Sequence, residues 1–240
     1  MALLLAWAAG KRGGHVGRIG AGAPYQQLLC IDHHRFLSGY DKPYGDLFQY
    51  RVVGPGDVYS EPTRSGGGQG HLQVTHAAEL KYFITGRRPV SVMALMDNLD
   101  VELDVIDAII ARMDNGALAT LGSTGNLPVS DSGKLVMHVN CDRCWLDIDF
   151  ITGAGRIRHA DGTDEILPAF DAEERPAGCE QPENFYPLQA PAWNLADVIT
   201  GKTSNGSSGE FAWRTIELLD AAYRSAAVND PAICVDSLYS

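Results

Sequence analysis

The sequence predicts an α+β domain: one large, mainly antiparallel open sheet with helices on one face. Three observations carry this. Segments rich in β-branched and apolar residues succeed one another between residues 90 and 159, and such side chains suit a pleated, half-buried surface. Asn115-Gly116 falls between two of them and is a strong hairpin signal, because a type I′ turn needs positive φ at both central residues. Two stretches of helical periodicity flank the strand run, each with an apolar stripe.

Taken in chain order, residues 1–44 read as an N-terminal arm or the remnant of another unit, and the sheet domain is expected over 45–240. Within the arm, Val16-Gly17-Arg18-Ile19-Gly20-Ala21-Gly22 is like the strand and first turn of a dinucleotide fingerprint. Tyr25 stands where G-x-G-x-x-G needs its last glycine, and too few residues remain for a complete βαβ unit. His33 and His34 are adjacent, so on a strand or helix their side chains point different ways, and they read as surface or packing residues. Leu47–Val53 alternates toward an aromatic face and is expected as the first sheet strand. A loop from Gly54 to Arg64, with Pro55 and Pro62, comes next.

Ser65–Gly86 organises the functional reading. Gly66, Gly67 and Gly68 leave the backbone free to approach a ligand closely. The helix after them places Leu72, His76, Leu80 and Phe83 on one face, with Gln69 and Gln73 leading into it. Gly86 is the expected C-terminal stop. Strands are expected at Val90–Met96, Leu103–Met113, Ala117–Ser123, Lys134–Val139, Trp145–Ile151 and Arg156–His159. Cys141-Asp142-Arg143-Cys144 lies between two of them, preceded by His138. A zinc site needs a fourth ligand, for which Cys179 is the one downstream candidate, and a redox C-x-x-C opens a helix, so an incidental turn is favoured. Ala160–Pro191 reads as an extended loop and Asn194–Thr200 as a short helix. Ser207-x-x-Glu210 forms a capping box for a last helix with Ile216, Leu219, Tyr223 and Ala226 on one stripe. Ile233-Cys234-Val235 is expected as a short edge strand.

Composition excludes some functions. The chain has 240 residues and a formal net charge of −11. An acidic surface repels phosphates, so no nucleic-acid partner is expected. The 5 cysteines are odd in number and scattered, which fits a reducing compartment rather than a disulfide framework. The apolar Ala2–Ala9 is short and its charges, Lys11 and Arg12, come after it, so it does not read as a signal peptide. No run reaches membrane-spanning length. A cytoplasmic protein without metal ligands is expected.

A family resemblance sharpens this. Gly66-Gly67-Gly68 with His76 eight residues on resembles the G-G-G-x-x-x-D-x-G-x-H signature of the Gfo/Idh/MocA oxidoreductases. Met113-Asp114-Asn115-Gly116-Ala117 resembles their F-x-N-G-A hairpin, and Ala221-Ala222-Tyr223-Arg224-Ser225 resembles the A-x-Y-x-S end of their last helix. These features span about residues 45–240. Leu72 and Val74 replace the signature's Asp and second-half Gly. Asp41-Lys42-Pro43 is similar to the family's E-K-P motif but lies too close to His76. The resemblance implies a substrate and oligomerisation domain with a large open sheet, and a hydride exchanged between NAD or NADP and a sugar or cyclitol. It implies His76 as general base, a residue type whose pKa suits that transfer. Gln69, Gln73, Tyr59 and Arg64 would contact substrate. No nucleotide is expected to bind this chain alone; a separate Rossmann subunit would supply it. The open sheet face implies a homo-oligomer. The alternatives are a non-catalytic carbohydrate-binding or assembly module, and a truncated reading frame.

Overall fold

A computed structural model of the chain describes residues 25–33, 61–99, 102–125, 134–150, 152–169, 190–205, 208–228 and 233–236. Its strands are β1 (Tyr25–His33), β2 (Pro89–Asp97), β3 (Ile106–Met113), β4 (Leu118–Thr124), β5 (Lys134–Cys141), β6 (Cys144–Asp149), β7 (Gly155–His159), β8 (Asp164–Leu167) and β9 (Ile233–Cys234). They form one sheet in the order β8-β7-β6-β5-β1-β4-β3-β2-β9. Every described pairing is antiparallel except β1 with β4. The helices are α1 (Pro62–Ser65), α2 (Thr75–Thr85), α3 (Ala190–Ile199) and α4 (Gly209–Val228), and Gly70–Val74 forms a π-helical turn leading into α2.

Alternation along the strands sorts the sheet into two faces, because successive side chains point to opposite sides. Val92, Ala111 and Ala119 are register partners, as are Ala94, Ile109 and Leu121, and all are buried. Leu135, Met137 and Val139 on β5, Leu146 on β6 and Ile157 on β7 extend the same core. Leu80 and Ile84 of α2 and Leu218, Leu219 and Ala222 of α4 join it, so α2 and α4 cover this face. Ser225 ties α4 down further: its Oγ accepts the Ala94 N–H at 3.0 Å. The opposite face carries Met93, Leu95, Ile106, Ile110 and Leu118, all exposed.

The expected fold class stands, with corrections to its parts. The most central strand, β1, falls inside the segment read as an arm, so a boundary near Tyr44 does not mark the edge of the sheet. Leu28-Leu29-Cys30-Ile31 is a continuous apolar run without the polar alternation of a half-solvated strand, which suits an interior strand. The expected strand Leu47–Val53, Lys42, Tyr59, Cys179 and Ser207 of the capping box lie outside the described residues. β8 belongs to what reads as a loop; Asp161-Gly162 makes the turn into it, with Thr163 N–H bonded to Asp161 Oδ1 at 2.9 Å. The helix expected at Asn194–Thr200 starts earlier, at Ala190.

Both helices bury a face different from the expected one. On α2 the buried residues include Ala77, Ala78, Lys81, Ile84 and Thr85, while Leu72, His76 and Phe83 are only half-buried. A π turn carries an extra residue per turn, so a 3.6-residue count begun at Leu72 drifts off the true face. On α4 the buried stripe is Thr215, Leu218, Leu219, Ala222 and Ser225, and Ile216 is exposed.

Candidate functional site

The glycine turn is built around a carboxylate. Asp104 sits two residues before β3 and is buried. Its Oδ1 accepts the Gly68 N–H at 2.9 Å and its Oδ2 accepts the Gly70 N–H at 2.6 Å. Its main-chain carbonyl accepts the Gln69 N–H at 2.9 Å. The Tyr223 hydroxyl, reaching from α4, donates to Oδ1 at 2.8 Å and accepts the His71 N–H at 3.2 Å. The His71 ring stacks on Tyr223 with centroids 4.8 Å apart. Burial, then the Asp104 charge, raises the Tyr223 pKa above its ordinary value, so the phenol remains a donor.

This geometry corrects the reading of the glycines. A Cβ on Gly68 would collide with the Asp104 carbonyl oxygen, and one on Gly70 would lie 2.8 Å from Tyr223 Oη. At Gly68 and Gly70 the close approach is to the protein's own side chains and main chain rather than to a ligand, whereas Gly66 and Gly67 border the cleft beside the turn. Bonds to an ionised acceptor are the stronger kind, and here two amides and a phenol converge on one carboxylate. The first residues of the π turn are thereby fixed in place.

The expected site residues divide. His76 lies on the first turn of α2, half-buried, one turn beyond this lock. Gln73 is nearly buried within the π turn. Gln69 is fully buried and its Nε2 donates to Ser123 Oγ of β4 at 2.9 Å, which makes it a brace between the turn and the sheet. Its Oε1 is buried without a hydrogen-bond partner. Arg64 is exposed on α1 and pairs with Glu61 at 3.1 Å. A cleft of about 360 Å³ beside the turn is lined by Gly66, Gly67, Asn98, Glu102, Asp104 and Tyr223 among others, and His76 does not border it.

No metal centre appears among the described residues. His138 is engaged by Asp147, Nδ1 to Oδ1 at 2.6 Å, and by Asn140 at 3.1 Å. A dinucleotide needs main-chain amides aimed outward at its pyrophosphate. The Gly68 and Gly70 amides are already taken by Asp104, so this turn does not fit one. Val16–Gly22 lies outside the described residues.

No protein-family model and no curated protein matches the sequence. Solved structures match the fold. Levoglucosan dehydrogenase in complex with NADH aligns with TM-score 0.70 and 14% identity, over 97% of this chain and 63% of that one. Aldose-aldose oxidoreductase from Caulobacter crescentus, complexed with glycerol, gives 0.68 and 17%, over 96% and 62%. An oxidoreductase from Agrobacterium radiobacter, in complex with NAD+, L-tartaric acid and magnesium, gives 0.64 and 14%, over 99% and 63%. The chain therefore has the fold that these oxidoreductase structures share over the aligned part of their length, as the resemblance led one to expect. The chain spans about three-fifths of the length of these structures.

Within this domain, the residues to which motif reading gave no site role are Asp104, Ser123 and Tyr223. Tyr223 had a signal, the A-x-Y-x-S ending, whose two polar members now have roles: Tyr223 holds the glycine turn and Ser225 holds β2. Asp104 had none, because its partners lie 34 and 36 positions away.

Proposed function

We propose that this domain is the substrate-side half of an oxidoreductase acting on a sugar- or cyclitol-like molecule, with His76 as general base. The reading rests on the Gfo/Idh/MocA-type fold together with one placement: His76 on the first turn of α2, behind a turn locked by Asp104 and Tyr223. Imidazole suits the role, since its pKa lies near neutrality. Held at a fixed point, it would take the proton of a substrate hydroxyl as the carbinol carbon becomes a carbonyl. The Gly68 and Gly70 amides are taken by Asp104, and in this reading the hydride acceptor is held by a dinucleotide-binding unit such as a separate Rossmann subunit. NAD(P)H fluorescence, monitored during titration with the pure protein and again with such a subunit present, tests this. Binding and sugar oxidation only in the second case support it; no oxidation of any pyranose or cyclitol in either case overturns it.

A second reading, a non-catalytic binding or assembly module, is favoured by Leu72 in place of the signature's carboxylate and by Gln69 turning inward. Both readings share one partner. The exposed apolar residues of β2 and β3 occupy neighbouring register positions, with Met93 opposite Ile110 and Leu95 opposite Ala108, while Leu118 of β4 lies beside Arg112 at the margin. A contiguous apolar sheet face of this kind marks an interaction surface, and we propose a second copy of the chain as its occupant.

A further inference from the structure

We propose that Cys141 and Cys144 form a reversible dithiol–disulfide site that exchanges with low-molecular-weight disulfides of the glutathione class. Cys141 is the last residue of β5 and Cys144 the first of β6. Asn140 and Trp145 are register partners, so the next pair outward, Cys141 and Cys144, closes a two-residue turn made by Asp142 and Arg143. Directly opposed residues of an antiparallel pair have Cα atoms about 4.5–5.5 Å apart, inside the range a disulfide spans. Directly opposed residues of an antiparallel pair also point their side chains to the same face of the sheet, so the two thiols lie on one side of the hairpin. Both are half-buried at the hairpin tip, beside the exposed Asp142 and Arg143, so a small disulfide can reach them. The tip is anchored, with Arg143 carbonyl accepting the Ala160 N–H at 2.8 Å, which keeps the thiols opposed. No third ligand completes a metal set among the described residues. The spacing that reads as an incidental turn in sequence is thus a pair of facing thiols.

The chemistry balances as two exchanges. One thiolate attacks a sulfur of glutathione disulfide, forming a mixed disulfide and expelling one glutathione thiolate. The second thiol, as thiolate, attacks the protein sulfur of that mixed disulfide. The Cys141–Cys144 bond forms and the second glutathione leaves. The protein loses two electrons and two protons, and the glutathione disulfide is reduced to two thiols. Burial, then Cys144, pushes the Cys141 thiol up to about 12. The opposed geometry lets either thiol make the first attack, with the other resolving the mixed disulfide.

Trypsin cuts after Arg143, between the two cysteines, which makes the test direct. The full chain is incubated with glutathione disulfide, alkylated, digested without reductant and analysed by mass spectrometry. A linked pair of peptides, residues 135–143 and 144–156, that separates on reduction is the expected result. In the Cys141→Ser variant the partner thiol is gone, and glutathione should remain attached to Cys144. Alkylation of both thiols after oxidant treatment would overturn the proposal. So would linkage of either to Cys30, Cys179 or Cys234, or the absence of a mixed disulfide in the Cys141→Ser variant. None of these outcomes depends on oxidoreductase activity.

Discussion

Asp104 is the residue on which the local structure depends. It is the shared acceptor for Gly68, Gly70 and Tyr223. Tyr223→Phe removes one donor from a charged acceptor and leaves the His71 N–H without its oxygen. A loss of about 2 kcal/mol is expected in urea unfolding, with the m-value unchanged. Asp104→Ala strips both buried amides of their acceptor, and a loss on the order of 3 kcal/mol is expected. His76 is different, since its proposed role is chemical. If the proposed function holds, His76→Asn should leave the unfolding midpoint close to wild type and lower sugar oxidation by about 10²–10⁴-fold in assays supplied with a dinucleotide-binding subunit. Unchanged turnover would remove His76 from the mechanism.

Lys81 makes a pH prediction at the same scale. It is fully buried, with Nζ 3.5 Å from the Arg87 carbonyl oxygen and 3.5 Å from the centroid of the Tyr82 ring. Burial lowers its pKa well below the ordinary lysine value, against the opposing pull of Asp114 and Glu217. Between that lowered value and the unfolded value of about 10.4, the unfolded chain binds a proton that the native state does not. Stability should therefore rise with pH across this window, and the rise should end once the unfolded lysine also loses its proton. Lys81→Met should flatten that slope and be neutral or stabilising near neutral pH. Denaturant midpoints of the two proteins, compared at several pH values up to about 10, check the sign.

At the scale of elements, the π turn and α2 respond to two glycines in different ways. Gly86 caps α2 with φ of 62° and open space around its Cβ position. Gly86→Ala should cost only backbone strain, about 1 kcal/mol. Gly68→Ala meets the Asp104 main chain, which cannot swing aside as a side-chain tip can. Its cost should exceed that of Gly86→Ala by at least about 2 kcal/mol, on the scale of core overpacking. Equal losses in thermal unfolding would mean that the turn has slack the geometry does not show. The turn also explains why a helical wheel failed here. The pattern Leu72, His76, Leu80, Phe83 is a sound 3.6-residue series, but π geometry over Gly70–Val74 rotates α2 relative to that count.

For the whole molecule, the two faces of the sheet have opposite fates. One is sealed by α2 and α4; the other leaves Leu95 68% exposed and Ile110 43% exposed. If a second copy covers that face, light scattering should report a dimer at micromolar concentration. A Leu95→Asp, Ile110→Asp double variant should then be monomeric with its unfolding midpoint at high dilution unchanged. A wild-type monomer would exclude the pairing.

Much of this architecture is legible in residue order alone. The place of the β3–β4 hairpin stems from Asn115-Gly116 and alternating strands, although only Gly116 takes positive φ, at 85°, so the turn is not the expected type I′; the stop of α2 stems from Gly86, because period and capping act between near neighbours. The resemblance of Gly66–His76 and of Ala221–Ser225 to a known signature pointed to the right fold. Three things were decided only when the chain closed on itself. β1 became the central strand because its backbone pairs with β4 on one edge and β5 on the other. The glycine turn received its carboxylate from a residue beyond the next strand. Cys141 and Cys144 became opposed thiols through the β5–β6 register. Each depends on which distant groups meet, and a buried polar or thiol group acquires its role from that meeting rather than from its neighbours in sequence.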